Sequence, residues 1–390
     1  MKNSILIITC LVCLSACASA TRYLLAESYM YRQLHLDTWA ESGGDEAVME
    51  NTLANIKAAN ANATKNIDLA TQEYSSGNWH YEWDSVANDA AERGDHFAAS
   101  AYFTISAYPF IKDNEWSNRS YKKALYHYQK AVQSDGTYIE QISIPTSKGI
   151  AYAYLHLPEQ VPDAPLPVLV VTNGSDHTLT TLYNVYSDYL KPNGWAMVSF
   201  DLPGIASNAH IGISTSQTNL IHQQLLQQLQ QEKRVNSSQI ALMGSSFGGN
   251  AVTKTAFTNE KEVAAAVNIC GAVNTPFTKL KFALTQVPEM TGDAFLSRFD
   301  MTREQIIKTS EELALSTHYL GKVKTTVPIL SINHDDDSIS PPRDMQLVAE
   351  SSVNGKYIVV DKGTESGHCA SDDIALPLAM QWLQQVVLPQ

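Results

Sequence analysis

Positive charge is scarce in this chain: 27 Lys and Arg stand against 40 Asp and Glu, giving a formal net charge of -13 over 390 residues. That balance repels nucleic-acid phosphates and anionic membrane surfaces, which argues against both as electrostatic partners. Cysteine is also sparse, with five in all. There is therefore no disulfide framework of the kind that staples small secreted domains, and no Cys and His spacing suggests zinc. Cys10 and Cys13 sit in the apolar start of the chain, leaving Cys17, Cys270 and Cys369. Cys270 closes a buried strand pattern and Cys369 follows a histidine, so one bridge between them is an option. The expected state is two small, packed apolar side chains. What the chain does have is length and 44% hydrophobic content, enough for one large α/β domain with a helical addition.

The start of the chain reads as an export signal rather than as fold. Lys2 supplies a positive charge, residues 5–14 form an apolar run too short to span a bilayer, and small residues follow. Leu14, Ser15, Ala16 and Cys17 resemble the bacterial lipobox, in which the cysteine becomes the lipidated first residue. The resemblance implies a signal region over 1–17, lipidation at Cys17 and attachment to a membrane by acyl chains alone, with the domain soluble. Ala18 after the cysteine fits an outer-membrane destination. The alternative is the A-x-A site Ala18, Ser19, Ala20, whose cleavage would leave a periplasmic or secreted protein.

Residues 22–135 carry helical patterning with almost no strand signal and are expected to form an N-terminal helical domain. Helices are expected over 51–70, 79–91, 96–107 and 120–132. The stripe formed by Trp79, Trp83, Val86, Ala87 and Ala90 is expected to pack against a neighbouring domain rather than to bind a ligand. From 138 to 390 strand patterns appear. Segments 139–144 and 150–157 alternate around a turn at Thr146 to Gly149, predicting an antiparallel edge hairpin. Short apolar runs follow at 168–171, 196–200, 240–243, 264–269, 327–332 and 357–360, most of them separated by helical patterns such as 179–190, 220–231 and 374–387. The expected fold is α/β, a mainly parallel sheet with helices on both faces. Residues 272–324 hold no strand and read as a helical insertion over the site, with a helix over 300–316 capped by Thr302.

The chemistry is organised around Gly244, Ser245, Ser246, Phe247 and Gly248, a G-x-S-x-G pentapeptide that follows a strand pattern and opens a helix. A serine hydroxyl at its ordinary pKa is a poor nucleophile, and this strained turn presents it to a base. After the strand at 327–332 come His334, Asp335, Asp336 and Asp337. Asp337, in Asp-Ser-Ile-Ser-Pro, is the expected acid; a solvated or cation-binding acidic run is the alternative. After the last strand stands His368, the expected base, with His334 as its competitor. An oxyanion hole needs two donors. One is expected to be the N–H of Phe247; the loop Thr172, Asn173, Gly174, Ser175, Asp176 is similar to the His-Gly-x turn of hydrolases with Asn173 in the histidine's place, and that resemblance implies Ser175 as the other, with Gly174 next. No cofactor or metal is implied, and the oligomeric state is not readable.

The chain order Ser246, Asp337, His368, the loop similar to a His-Gly-x turn at Asn173, and Asp201 to Ser207 together resemble the α/β-hydrolase superfamily over roughly 138–390. Ala206 departs from the glycine of the family's Asp-x-Pro-Gly-x-Gly-x-Ser loop. The helical front resembles that of the fermentation-respiration switch esterase group and of dihydropseudooxynicotine hydrolase. The carriers are Trp79, Trp83, Ala91 to Gly94, Ala98 to Tyr102, Ala107 to Phe110 before an acidic turn, and Tyr121 to Ala131. The resemblance implies a serine hydrolase acting on a small molecule, foremost a carboxylic ester. The alternatives are cleavage of a carbon-carbon bond beside a ketone, or a surface lipoprotein that keeps the fold for binding only. The switch esterase is cytoplasmic, so its intracellular partnership does not transfer to a chain that opens with an export signal.

Overall fold

Short polar residues set the start of the helical front. In the computed structural model, which describes residues 34–60, 73–287, 289–337, 339–364 and 367–388, five helices precede the sheet: α1 (Leu36–Glu41), α2 (Glu46–Ala59), α3 (Trp79–Glu92), α4 (His96–Ala107) and α5 (Glu115–Ser134). Asp45, Asn78, Asp95 and Asn114 each accept the backbone N–H three residues on, caps worth about 1 kcal/mol apiece. The export segment, Cys17, the A-x-A site and the second half of the helix expected over 51–70 lie outside the described residues. The aromatic stripe of α3 does pack, but within the helical layer: Trp79 Nε1 donates to the carbonyl of Ile105 at 2.8 Å, and Trp83 is fully buried beside Tyr102.

The sheet follows the sequence pattern strand for strand: β1 (Thr137–Thr146), β2 (Gly149–Pro158), β3 (Leu166–Thr172), β4 (Ala196–Ser199), β5 (Val235–Ser245), β6 (Ala265–Ile269), β7 (Ile329–His334) and β8 (Lys356–Val360). Their order is β1-β2-β4-β3-β5-β6-β7-β8. β1 pairs antiparallel with β2, and β2 with β4; the remaining pairings are parallel.

Two-residue periodicity sends alternate side chains to two cores. Val168, Val170, Leu242 and Ala266 enter the one shared with the N-terminal helices, α6 (Leu220–Leu229) and α7 (Phe247–Thr258). Leu169, Val171, Met243 and Val267 enter the other, which Leu376, Met380 and Leu383 of the last helix close. Each Val, Leu or Met side chain among them contributes about 1.5–3 kcal/mol by leaving water.

Two stretches differ from the sequence reading. Residues 179–190 are apolar at helical spacing, yet they close as a 3-10 turn, Leu179–Thr181, and a wide π turn, Val185–Leu190. Pro192 follows at once and opposes α-helical propagation into it. The insertion folds as α8 (Thr275–Thr278), α9 (Leu280–Ala283), α10 (Glu289–Ser297) and α11 (Arg303–Thr309). Thr302 caps α11 as expected, in a reciprocal box with Gln305. The helix stops at Thr309 instead of running to 316, and 3-10 turns follow. After β7 and β8 come α12 (Pro342–Glu350) and α13 (Asp372–Val387), respectively. No helix among the described residues is long and apolar enough to cross a membrane.

Candidate active site

β5 delivers Ser246 into a turn whose backbone no ordinary residue favours. Ser246 has φ +49° and ψ -120°, and α7 begins at the next residue. Its N–H donates to the Ile269 carbonyl at 3.0 Å, and its carbonyl accepts from Gly249 at 3.0 Å and Ala272 at 3.1 Å, so neighbouring elements hold the strained conformation in place. Gly248 is required by close approach, since an added Cβ would stand 2.6 Å from the Asn173 carbonyl oxygen. The loop after β3 comes over the turn at Gly174, where a Cβ would stand 2.6 Å from Cβ of Ser246. Asn173 ties this loop down through its Nδ2, which donates to the Thr178 carbonyl at 3.0 Å and to Thr181 Oγ1 at 3.1 Å.

Three side chains far apart in sequence meet in one line. Ser246 Oγ lies 2.8 Å from His368 Nε2, and His368 Nδ1 lies 2.9 and 3.1 Å from the two oxygens of Asp337. Asp337 also accepts from the backbone N–H groups of Ile339 and Ser340 at 2.8 Å, of Cys369 at 2.9 Å, and from Asn333 Nδ2 at 3.1 Å. Burial would raise its pKa, but the His368 charge and these hydrogen bonds outweigh burial and hold it at about 2. Burial would likewise depress His368; the charge and hydrogen bond of Asp337, with Asp176 adding, more than offset this and raise it above the ordinary 6.5.

His334 is not part of this line. Its Nδ1 accepts from the Asp336 N–H at 3.2 Å, within its own loop. Phe247, as the first residue of α7, has no intrahelical acceptor for its N–H. Asp201 is buried and accepts from Leu179 N–H and from the N–H and hydroxyl of Ser207, which makes its loop structural. Ala206 sits at φ +46°, a backbone state that suits the glycine of the related loop pattern.

The cysteines overturn the expectation of two packed thiols. Cys270 and Cys369 form a disulfide across 99 residues. Their Cα atoms are 4.8 Å apart because β6 ends beside the loop that carries His368. In sequence this bridge is the option not preferred, since only the tertiary fold brings residues so distant together. The bridge ties the residue after the histidine to the end of a central strand.

Ser246 and His368 open into a cavity of about 640 Å³. The insertion lines it with Phe277, Leu280, Leu284 and Phe295, and the N-terminal segment with Leu34, His35 and Leu36. Four more residues belong to this site or brace it: His35, Asp176, His177 and Arg298. No motif marks His35 or Arg298, while Asp176 and His177 continue the loop already singled out. Arg298 is fully buried, and its Nη2 donates to the Ser175 carbonyl. Burial lowers Arg298 to about 10, with Asp176 opposing that shift.

The family model described as Esterase FrsA-like matches residues 12–387. Esterase FrsA of Vibrio cholerae serotype O1 is 31% identical over 379 residues, spanning 93% of this chain and 90% of the relative. Esterase FrsA of Photobacterium profundum is 27% identical over 385 residues, spanning 92% and 88%. Among solved structures, AbyA5 superposes with a TM-score of 0.69 at 18% identity over 87% of this chain and 93% of that one. The 2,6-dihydroxy-pseudo-oxynicotine hydrolase superposes with a TM-score of 0.66 at 16% identity over 91% and 96%. At these identities the two structures speak to the fold, an α/β-hydrolase sheet behind a helical front.

Proposed function

The chain belongs to the FrsA-like esterase family and is an esterase hydrolase, and from that premise we propose that it cleaves carboxylic esters of small molecules through an acyl-enzyme on Ser246. The observation that carries this reading is the unbroken relay from Ser246 Oγ through His368 to Asp337, with contacts of 2.8 and 2.9 Å. His368 Nε2 takes the serine proton as Oγ attacks the ester carbonyl carbon, and the resulting imidazolium is stabilised by the Asp337 carboxylate. The tetrahedral oxyanion is met by the N–H groups of Phe247 and Ser175, with Gly174 letting the loop backbone approach. His368 then returns the proton to the leaving alcohol, and a water molecule, deprotonated by the same imidazole, frees the acid.

Replacing Ser246 by Ala tests this. Hydrolysis of 4-nitrophenyl acetate is expected to vanish with the melting temperature unchanged, and Ser245→Ala is expected to retain most activity. Equal turnover by the Ser246 variant contradicts the reading.

For location, the same proposal places the mature protein outside the bacterial cytoplasm, anchored by lipid on Cys17 at the outer membrane. The lipobox match at 14–17 supports it, and a disulfide at Cys270 and Cys369 is the chemistry of an oxidising compartment. Cys17→Ser is expected to block lipid-dependent processing and detergent-dependent fractionation. Wild-type protein found soluble with Thr21 first refutes the anchor.

A further inference from the structure

Beyond the relay, the cavity contains polar groups that the hydrolytic steps do not use. The loop after β3 continues past Ser175 into Asp176 and His177, and both line the cavity that also holds Ser246 and His368. From the other end of the described chain, His35, just before α1, is brought against them. Its Nε2 is 3.9 Å from Asp176 Oδ2, and its ring centroid is 4.5 Å from that of His177. The side chains of His35 and Asp176 are only 13% and 14% exposed. His35 Nε2, His177 Nδ1 and Asp176 Oδ1 are all buried without a hydrogen-bond partner. Buried polar atoms left in that state are costly, which marks them as groups built to meet a ligand.

We propose that His35, Asp176 and His177 form a subsite that hydrogen-bonds a hydroxyl group on the alcohol portion of the ester; this rests on the ester-hydrolase reading above. The ligand class follows from the donors and acceptors present. Burial lowers His35 to about 4 and His177 to about 3, so both rings are neutral at physiological pH. Each neutral imidazole offers one N–H and one acceptor nitrogen, and Asp176 only accepts. A hydroxyl both donates and accepts, and so satisfies this mixed set. A carboxylate or phosphate only accepts and would face Asp176, with Asp37, Glu41, Asp372 and Asp373 also lining the cavity. An ammonium group only donates, and so would leave the imidazole N–H groups of the set without an acceptor.

The side of the ester follows as well. His35, Asp176 and His177 line the same cavity as His368, and His368 is the group that protonates the departing alcohol. The aromatic and aliphatic residues of the insertion, Phe277 and Phe295 among them, are left to hold the acyl chain.

Three butyrate esters test the inference: glyceryl 1-monobutyrate with a hydroxylated alcohol, propyl butyrate without one, and butyrylcholine with a cation. Wild-type kcat/KM is expected to favour the glyceryl ester over the propyl ester by about tenfold, the worth of one net hydrogen bond. His177→Phe and Asp176→Asn are each expected to bring that ratio close to one, chiefly by lowering kcat/KM for the glyceryl ester. His177→Phe keeps the ring volume, and so remains informative if Asp176→Asn leaves Arg298 without its counter-charge and fails to fold. A ratio that is the same in wild type and both variants, or a preference for butyrylcholine, overturns the subsite and leaves ester hydrolysis standing. Wild-type protein that hydrolyses none of the three overturns the ester-hydrolase reading, and the subsite with it.

Discussion

Changing Asp337 to Asn removes one charge and one acceptor while keeping the shape, and the structure says which contacts fail. Five donors converge on this carboxylate: His368 Nδ1, the N–H groups of Ile339, Ser340 and Cys369, and Asn333 Nδ2. An Asn can keep its oxygen toward Ile339 and Ser340, but its NH₂ then faces Cys369 N–H, Asn333 and His368. Cys369 N–H becomes an unsatisfied buried donor, while Asn333 Nδ2 keeps its bond to the Ser340 carbonyl at 2.7 Å, so a loss of about 1–3 kcal/mol of stability is expected. His368 must turn to the tautomer that accepts at Nδ1 and carries its proton on Nε2, which can no longer take the proton of Ser246. In a comparable triad that error costs about 10⁴ in kcat, equivalent to about 5.5 kcal/mol of barrier.

A second signature is independent of the first. The base must be neutral to act, so activity falls as pH drops through its pKa, which in the wild-type enzyme lies above 6.5. With the Asp337 charge gone, burial dominates and the acid limb moves downward. Stability shows the same charge. A carboxylate held at about 2 against an ordinary 3.8 stabilises the fold above pH 3.8 by ~2 kcal/mol, and this contribution is lost as pH falls toward 2. The Asn variant should lack that acid-dependent component. Steady-state hydrolysis of 4-nitrophenyl acetate from pH 5 to 9, with thermal melts from pH 7 down to 2, reads all three effects. An Asn variant within tenfold of wild type, with an unmoved acid limb, refutes the assigned role of Asp337.

Two further expectations concern the frame around the triad. Gly248→Ala puts a Cβ 2.6 Å from the Asn173 carbonyl, so the turn must shift and activity is expected to drop by at least about a hundredfold, as misplacement near 1 Å does; a fully active variant would show that the turn is looser than described. Reducing the Cys270–Cys369 bridge, or replacing Cys369 by Ala, frees the loop that carries His368. The expectation is a lower kcat with KM little changed, and about 2–5 kcal/mol less stability for so long a closed loop. Unchanged kcat after verified reduction would show that the bridge does not position the base.

Much of the architecture is legible because it depends on local pattern. Each buried parallel strand is a short apolar run, and the hairpin of β1 and β2 shows its alternation and turn directly. Ser246, Asp337 and His368 are legible because each follows a strand end in a fixed chain order, and the structure brings those ends together. What is not legible depends on tertiary approach. Residues 179–190 have helical spacing, but Pro192 and the sheet beneath them impose tighter and wider turns. Cys270 and Cys369 look like isolated apolar positions until β6 and the His368 loop are laid side by side. His35 reaches the cavity from the far end of the chain, and Arg298 reaches the Ser175 carbonyl from an insertion without a motif, so neither announces itself in sequence.

The most direct test of the account is to label the wild-type protein with a fluorophosphonate and map the modified peptide. The expected result is a single adduct on Ser246 that forms as ester hydrolysis is lost, with labelling strongly slowed in His368→Ala and retained in His334→Ala. An adduct on another residue, or hydrolysis that persists with Ser246 fully modified, would contradict the proposed nucleophile and the relay built on it.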